Sequence, residues 1–159
     1  MARKRKPCVT KWGLRAWKRL SAALKPHRRA LVLTHDYPDP DALAAGWAMV
    51  ELLRTRLKRP ARLVYGGHLD RPENCEMVRV LKIPARELSA LDFSRRPAVV
   101  LVDASPGGGN NPLDREDLVT AVLDNHHGAS TAGLGTRLRR QCGATSTLAV
   151  ELLAAARPK

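Results

Sequence analysis

Hydrophobic runs and amphipathic stretches alternate along most of the chain. Short runs rich in Val, Leu and Ala predict buried strands at residues 30–34, 62–67, 97–104 and 118–124. Apolar residues at helical spacing predict helices at residues 11–25, 41–57, 72–83 and 144–156. Asp41 suits the N-cap of the second helix, and Pro72 suits the first turn of the third.

The alternation of strands and helices predicts one α/β domain of Rossmann-like type. Continuously apolar strand cores are typical of a mostly parallel sheet with helices on both faces. The chain has 159 residues, of which 44% are hydrophobic and 27% charged, enough for one such core. Its apolar stretches, at most about ten residues long, are too short to cross a bilayer, and we expect no membrane partner.

Basic residues are concentrated at the N-terminus. The net charge is +13, and residues 1–30 contain eleven Lys and Arg and no acidic residue. We therefore divide the chain into a basic arm with an amphipathic helix, residues 1–28, and an α/β domain, residues 29–159. Such an arm favours a polyanionic partner such as nucleic acid. A solvated tail without a partner would have the same composition.

The cysteines indicate a compartment. Cys8, Cys75 and Cys142 are odd in number, lie far apart and form no CxxC pair. This spacing argues against a disulfide framework and against a zinc–thiolate site. We therefore expect a reducing, cytoplasmic location.

Ionisable side chains follow three of the predicted strands. They are His35, Asp36, Asp39, Asp41, Asp103, Asp124, His126 and His127. Because the carboxyl ends of parallel strands meet at one edge of a sheet, we expect these side chains to converge. Mixed Asp and His ligands suit Mn²⁺, Mg²⁺, Fe²⁺ or Zn²⁺, and their number favours two ions. Alternatively, the loop 35–41 is only a turn followed by a helix cap.

These residues resemble the motifs of the DHH phosphoesterase superfamily, which includes RecJ-type exonucleases, oligoribonucleases, cyclic-dinucleotide phosphodiesterases and manganese pyrophosphatases. The first motif, H-x-x-x-D-x-D, is matched by residues 35–41, and the strand-end aspartate by Asp103. The DHH triplet is altered to DNHH at residues 124–127. Residues 143–153 resemble the segment that follows the triplet in many members, and residues 65–74 and 107–111 resemble a bacterial oligoribonuclease-like subgroup.

The resemblance implies two manganese ions. The implied ligands are His35, Asp39, Asp41, Asp103 and His126. Asp103 would bridge the two ions, and His126, His127 and Asp103 would be the catalytic residues. This assignment takes residues 125–127 as the altered triplet. If residues 124–126 are the triplet instead, Asn125 stands where a ligand histidine belongs.

The implied activity is hydrolysis of phosphodiester bonds in short oligonucleotides or related nucleotides by a two-metal hydroxide attack. Substrate contacts would come from His127, Arg71 and Asn74, although an arginine such as Arg71 is more often a solvated surface residue. Family members carry a further aspartate ligand and a second domain downstream, whereas this sequence stops at Lys159. The alternatives are therefore an impaired nucleic-acid-binding domain, or a pyrophosphatase-like or exopolyphosphatase-like hydrolase.

Overall fold

A computed structural model describes residues 9–113, 115–126 and 135–157. Its elements are, in order, α1 (Lys11–Leu24), β1 (Ala30–Asp36), α2 (Pro40–Arg56), β2 (Ala61–Gly66), α3 (Pro72–Leu81), β3 (Ala85–Glu87), β4 (Ala98–Val102), β5 (Val119–Asp124), β6 (Thr136–Arg139) and α4 (Thr145–Ala155). Short 3₁₀-helices lie at Ala90–Phe93 and Glu116–Leu118. None of the helices in these ranges is long and apolar enough to cross a membrane.

All six strands form one parallel sheet in the order β3-β2-β1-β4-β5-β6. The chain starts at the centre of the sheet, builds outward to β3, returns to β4 and builds outward again to β6. The predicted α/β, Rossmann-like class with a parallel sheet is therefore confirmed. The order places β1, β4 and β5 side by side, so their carboxyl ends form one continuous edge.

The sheet has a large and a small hydrophobic core, one on each face. Alternate residues of β1, β2, β4 and β5 belong to different cores, as Val32 and Leu33 in β1 do. The large core receives side chains from all four α-helices. The small core is covered by Leu88, Leu113 and Phe93, the last from a 3₁₀-helix. Helical segments thus flank both faces, but the α-helices all lie on one.

Three details differ from the sequence prediction. β1 continues through His35 and Asp36, because its pairing with β2 extends to Asp36 and Gly66. The edge strands β3 and β6 have only three and four residues with few apolar side chains, so no hydrophobic run signals them. The N-cap of α2 is Asp39 rather than Asp41, because Asp39 has extended backbone angles and accepts a hydrogen bond from the Ala42 amide at 2.9 Å.

The helix α1 is fixed to the domain through its first turn. Its N-cap, Thr10, accepts a hydrogen bond from the Gly13 amide and donates one to the Glu151 carboxylate on α4. Arg140, which follows β6, pairs with the same carboxylate. The part of the predicted basic arm before residue 9 lies outside the described residues, and the boundary at residue 28 stays a prediction.

Candidate metal centre

The carboxyl ends of β1, β4 and β5 bring together most of the predicted site residues. Asp36 and Asp124 are the last residues of β1 and β5, and Asp103 directly follows β4. Asp103 has a left-handed backbone with φ of 56°, a conformation that aspartate tolerates better than most residues. Its side chain is only 4% exposed, so the site contains a buried carboxylate.

The first group of potential ligands consists of His35, Asp39 and Asp103. The Nε2 atom of His35 lies 3.7 Å from Asp103 Oδ2 and 4.0 Å from Asp39 Oδ1. The other ring nitrogen, Nδ1, lies 2.7 Å from the carbonyl oxygen of Asp36. Because a carbonyl oxygen only accepts hydrogen bonds, Nδ1 carries the proton, and in the neutral ring the Nε2 lone pair faces two carboxylates.

The environment of Asp103 disfavours its charged form. Burial raises the pKa of Asp103, and the nearby carboxylates of Asp41 and Asp39 raise it further. These effects exceed the opposing hydrogen bond from the Thr145 hydroxyl to Asp103 Oδ1, at 2.6 Å, and the attraction of His126. A cation bound beside Asp103 would reverse this balance by favouring the carboxylate.

The second group consists of Asp103, Asp124 and His126. His126 Nδ1 lies 2.8 Å from Asp124 Oδ1 and 3.7 Å from Asp103 Oδ1. The hydrogen bond with Asp124 is the largest cause that raises the pKa of His126. Asp124 also accepts a hydrogen bond from Ser105 at 2.6 Å and pairs with Arg139 at 3.1 Å.

The partners of Asp124 keep it charged. Burial alone would raise the pKa of Asp124, but the hydrogen bonds from Ser105 and His126 and the charge of Arg139 outweigh it and hold the pKa below its usual value. Both of its oxygens therefore already have donors. Asp124 pairs with Arg139 and His126, and His126 also lies 3.7 Å from Asp103, which belongs to both groups.

Asp41 lies beside the two ligand groups, but its carboxylate binds the start of α4. Its two carboxylate oxygens accept hydrogen bonds from the backbone amides of Thr145 and Ser146, at 2.7 and 2.9 Å. These amides begin α4, whose N-cap, Ala144, provides no side-chain acceptor. Asp41 therefore caps a helix that is about a hundred residues away in sequence. As a metal ligand it would have to exchange these hydrogen bonds for an ion.

The histidine that reaches Asp103 from the altered triplet is His126. The Asn125 amide instead donates to the Cys142 carbonyl at 2.9 Å, and its oxygen lies 2.7 Å from the Thr145 hydroxyl. This geometry agrees with His126 as the potential ligand, although the alignment of the triplet stays a prediction. His127 lies outside the described residues.

Two of the predicted substrate contacts, Arg71 and Asn74, lie in different environments. Arg71 is exposed at the N-cap of α3, and its side chain makes no capping hydrogen bond. Asn74 is only 2% exposed and donates to the Pro38 carbonyl at 2.9 Å, so it fixes the loop before α2. The oxygen of its amide is buried, and no described residue donates a hydrogen bond to it. The role of both residues toward substrate stays a prediction.

Three residues of the centre were not predicted from the sequence. Thr145 binds Asp103, and Ser105 and Arg139 bind Asp124. Only the resemblance of residues 143–153 to the segment that follows the DHH triplet could have indicated Thr145. Arg139 belongs to β6, which no hydrophobic run signalled.

The donor set of the first group fits a divalent cation. A ligating histidine commonly donates its second ring nitrogen to a backbone carbonyl, which fixes the tautomer and orientation of the ring, and His35 is held in this way. Asp39 and Asp103 supply oxygen ligands on the same side. One imidazole and two carboxylates are ligands for Mn²⁺, Mg²⁺, Fe²⁺ or Zn²⁺ and do not distinguish among these ions.

Comparison with known proteins supports the fold. No protein-family model matches the chain. The chain is 26% identical over 123 residues to an uncharacterized protein of Methanocaldococcus jannaschii, which covers 77% of this chain and 25% of that protein. It is similar in structure to an exopolyphosphatase-related protein from Bacteroides fragilis, with a TM-score of 0.60 and 11% identity over 87% of this chain. The match spans 43% of the Bacteroides chain, so this chain covers less than half of either relative.

Proposed function

We propose that this domain is a metal-dependent phosphohydrolase of the DHH phosphoesterase type. The observation that carries the proposal is the convergence of His35, Asp39 and Asp103 at the carboxyl edge of the sheet, with His126 on the other side of Asp103. The order of these residues along the chain matches the motif order of that superfamily. The shared fold with an exopolyphosphatase-related protein supports the same class.

The chemistry that a divalent cation supplies when bound is activation of water near neutral pH and neutralisation of charge on phosphoryl oxygens. Asp103 lies between the two groups of ligands, and a carboxylate in this position can serve both. The Asp36 carbonyl holds the ring of His35, and Asp124 holds the ring of His126. The centre is therefore organised by its own hydrogen bonds before any ligand arrives.

His126 is our proposed ligand for the second ion. Its side chain is 65% exposed, and its Nδ1 atom is engaged with Asp124, so Nε2 is the ring nitrogen left for an ion, and His127 is our proposed contact to a phosphoryl oxygen. The Arg139 guanidinium binds the His126 carbonyl and the Asp124 carboxylate and thereby fixes His126 relative to the end of β5. Asp103 and His126 are our proposed catalytic residues, together with His127.

We propose phosphodiester bonds of short oligonucleotides as the substrate and Mn²⁺ as the preferred ion, with a second ion held by Asp41 and His126. The motif resemblance supports this choice, together with the basic N-terminal sequence, which attracts polyanions. The second candidate substrate is inorganic polyphosphate or pyrophosphate. It is favoured by the fold that this chain shares with the exopolyphosphatase-related protein from Bacteroides fragilis.

The experiment compares the wild-type chain with Asp103→Asn and with Asp117→Asn. Asp117 is an exposed aspartate just before the amino end of β5, so it controls for loss of one carboxylate. Mn²⁺ binding is measured by isothermal titration calorimetry. Hydrolysis of a short RNA, of polyphosphate and of pyrophosphate is measured with Mn²⁺ and with Mg²⁺.

We expect Asp103→Asn to weaken Mn²⁺ binding by about tenfold or more, as loss of a ligand or its support does, and to abolish hydrolysis. Asp117→Asn should keep both. A wild-type chain that binds no divalent ion would refute the proposal. Tight Mn²⁺ binding without turnover of any of the three substrates would favour the impaired nucleic-acid-binding domain.

A further inference from the structure

The amino ends of the strands form a second concave site, at the opposite end of the sheet from the metal centre. A cavity of about 520 Å³ lies there, beside the first residues of β1 and β2 and the residue before β4. β1 has seven residues, and at about 3.3 Å per residue the two sites are roughly 20 Å apart. The cavity therefore shares no residue with the metal centre.

The lining of this cavity is strongly basic. It contains Arg29, Arg54, Arg62 and Arg95, and Asp92 is its one acidic residue. The Asp92 side chain is 3% exposed and already paired with Arg86, and it also accepts a hydrogen bond from the Ser89 amide. Asp92 is thus committed to protein groups and leaves the positive charge of the cavity largely unbalanced.

The arginines are not explained by ion pairs within the domain. Arg54 is 3.6 Å from Glu51 in an exposed pair, and Arg62 is 4.0 Å from Asp92, a buried carboxylate that Arg86 already binds. Arg29 and Arg95 make no ion pair with any described residue. Arg54 lies in the last turn of α2, where a cation is favourable. The others lie near the starts of neighbouring strands, where like charges repel.

Apolar residues also line this cavity. Ala30 and Leu31 are buried, whereas Leu91 is 80% exposed and is an apolar side chain that a ligand can reach. Arginines bind phosphates, and apolar side chains beside them can contact a ribose or a base. A single-stranded nucleic acid offers both features, whereas inorganic polyphosphate offers only the first.

We propose that this arginine-lined cavity binds the backbone and a base of single-stranded nucleic acid. It would anchor a strand away from the metal centre. The proposal does not depend on hydrolysis, because binding can be measured with EDTA present. A failure here therefore leaves the proposed phosphohydrolase activity untouched, and the reverse also holds.

The test uses the full chain and a short fluorescein-labelled single-stranded RNA, with binding followed by fluorescence anisotropy across a range of salt concentrations. The variant Arg29→Gln/Arg95→Gln removes the two exposed arginines without ion pairs. The matched control, Lys82→Gln/Arg157→Gln, removes two exposed charges outside the cavity. Arg62→Gln is a second cavity variant at a different strand, and circular dichroism verifies that each variant is folded.

We expect the double cavity variant to weaken RNA binding by roughly tenfold or more at ~0.1 M salt. The slope of log Kd against log salt should fall by about 1.4, or about 0.7 for each lost phosphate contact. Arg62→Gln should lower the slope by about 0.7. Leu91→Ser should weaken binding of RNA but not of polyphosphate.

Equal weakening by the cavity variant and the control would overturn the proposal, because binding would then follow net charge alone. An equal effect of Leu91→Ser on RNA and polyphosphate would overturn the base contact. A wild-type chain that binds phosphatidylserine vesicles or polyphosphate but not RNA would overturn the assignment to nucleic acid.

Discussion

The contact between Asp41 and α4 makes a stability prediction that is independent of any metal. The first amides of a helix have no partner within the helix, and Ala144 supplies none to α4. Asp41 takes two of these amides, from Thr145 and Ser146, at 2.7 and 2.9 Å. Replacing Asp41 with alanine leaves both amides without their acceptor.

The magnitude follows from three contributions. Loss of a side-chain cap costs about 0.5–2 kcal/mol. Loss of a negative charge at a helix N-terminus costs about 0.3–1 kcal/mol more. Against this, Asp41 raises the pKa of the buried Asp103, so its removal relieves some repulsion. We expect Asp41→Ala to lower the free energy of unfolding by ~2 kcal/mol, which corresponds to a Tm lower by about 4–8 °C. Asp41→Asn keeps one acceptor and should cost ~1 kcal/mol.

The assay is urea unfolding in EDTA, evaluated by linear extrapolation. A serine at position 144 can cap α4 from its own N-cap position, because Ala144 already has extended backbone angles. Ala144→Ser should therefore recover ~1 kcal/mol in the Asp41→Ala chain and much less in the wild type, where Asp41 holds the amides. A cost of Asp41→Ala within about 0.5 kcal/mol of zero would refute the capping role. An equal gain from Ala144→Ser in the wild type and in the Asp41→Ala chain would refute the idea that Asp41 and a serine at position 144 bind the same amides.

Two further predictions concern other parts of the fold. Burial alone would raise the pKa of Glu151, but the hydrogen bonds from Arg140 and Thr10 hold it below the usual glutamate value. Glu151→Gln should therefore cost ~1–2 kcal/mol at neutral pH, and this difference should disappear as the pH falls through the lowered pKa, in urea unfolding at several pH values. A Cβ at Gly66 would lie 1.8 Å from Asp36 Oδ1, whereas one at Gly143 would meet nothing within 4 Å. Gly66→Ala should cost about 1–3 kcal/mol in thermal unfolding and Gly143→Ala much less, and equal costs would contradict the close packing.

Much of the fold was accessible from the sequence because its strands are continuously apolar. The run at 97–104 predicts β4, and the four predicted helices agree with α1 to α4 within a few residues. The strands β3 and β6 were missed since their sequences, ARE and TRLR, have no hydrophobic periodicity. They form because an existing sheet edge supplies hydrogen-bond partners, which is a tertiary effect.

The sequence predicted those residues of the candidate site whose position follows from the end of a strand. A parallel sheet brings the ends of β1 and β4 together, so His35 and Asp103 could be expected to meet. The orientation of Asp41 toward α4 could not be predicted, because its partner Thr145 is distant in sequence. The N-cap was assigned wrongly to Asp41 for a related reason: two aspartates two residues apart both suit that position, and only the backbone angles distinguish them.

The two ends of the sheet carry opposite charge. Carboxylates crowd one end and arginines line the other, so the domain has an electric dipole along its strands. The field of an approaching polyanion exerts a torque on this dipole. The torque turns the arginine end of the domain toward the polyanion. The acidic end repels the same polyanion until cations occupy it. If the proposed ion binds there, this end of the molecule would change from repelling phosphate to attracting it.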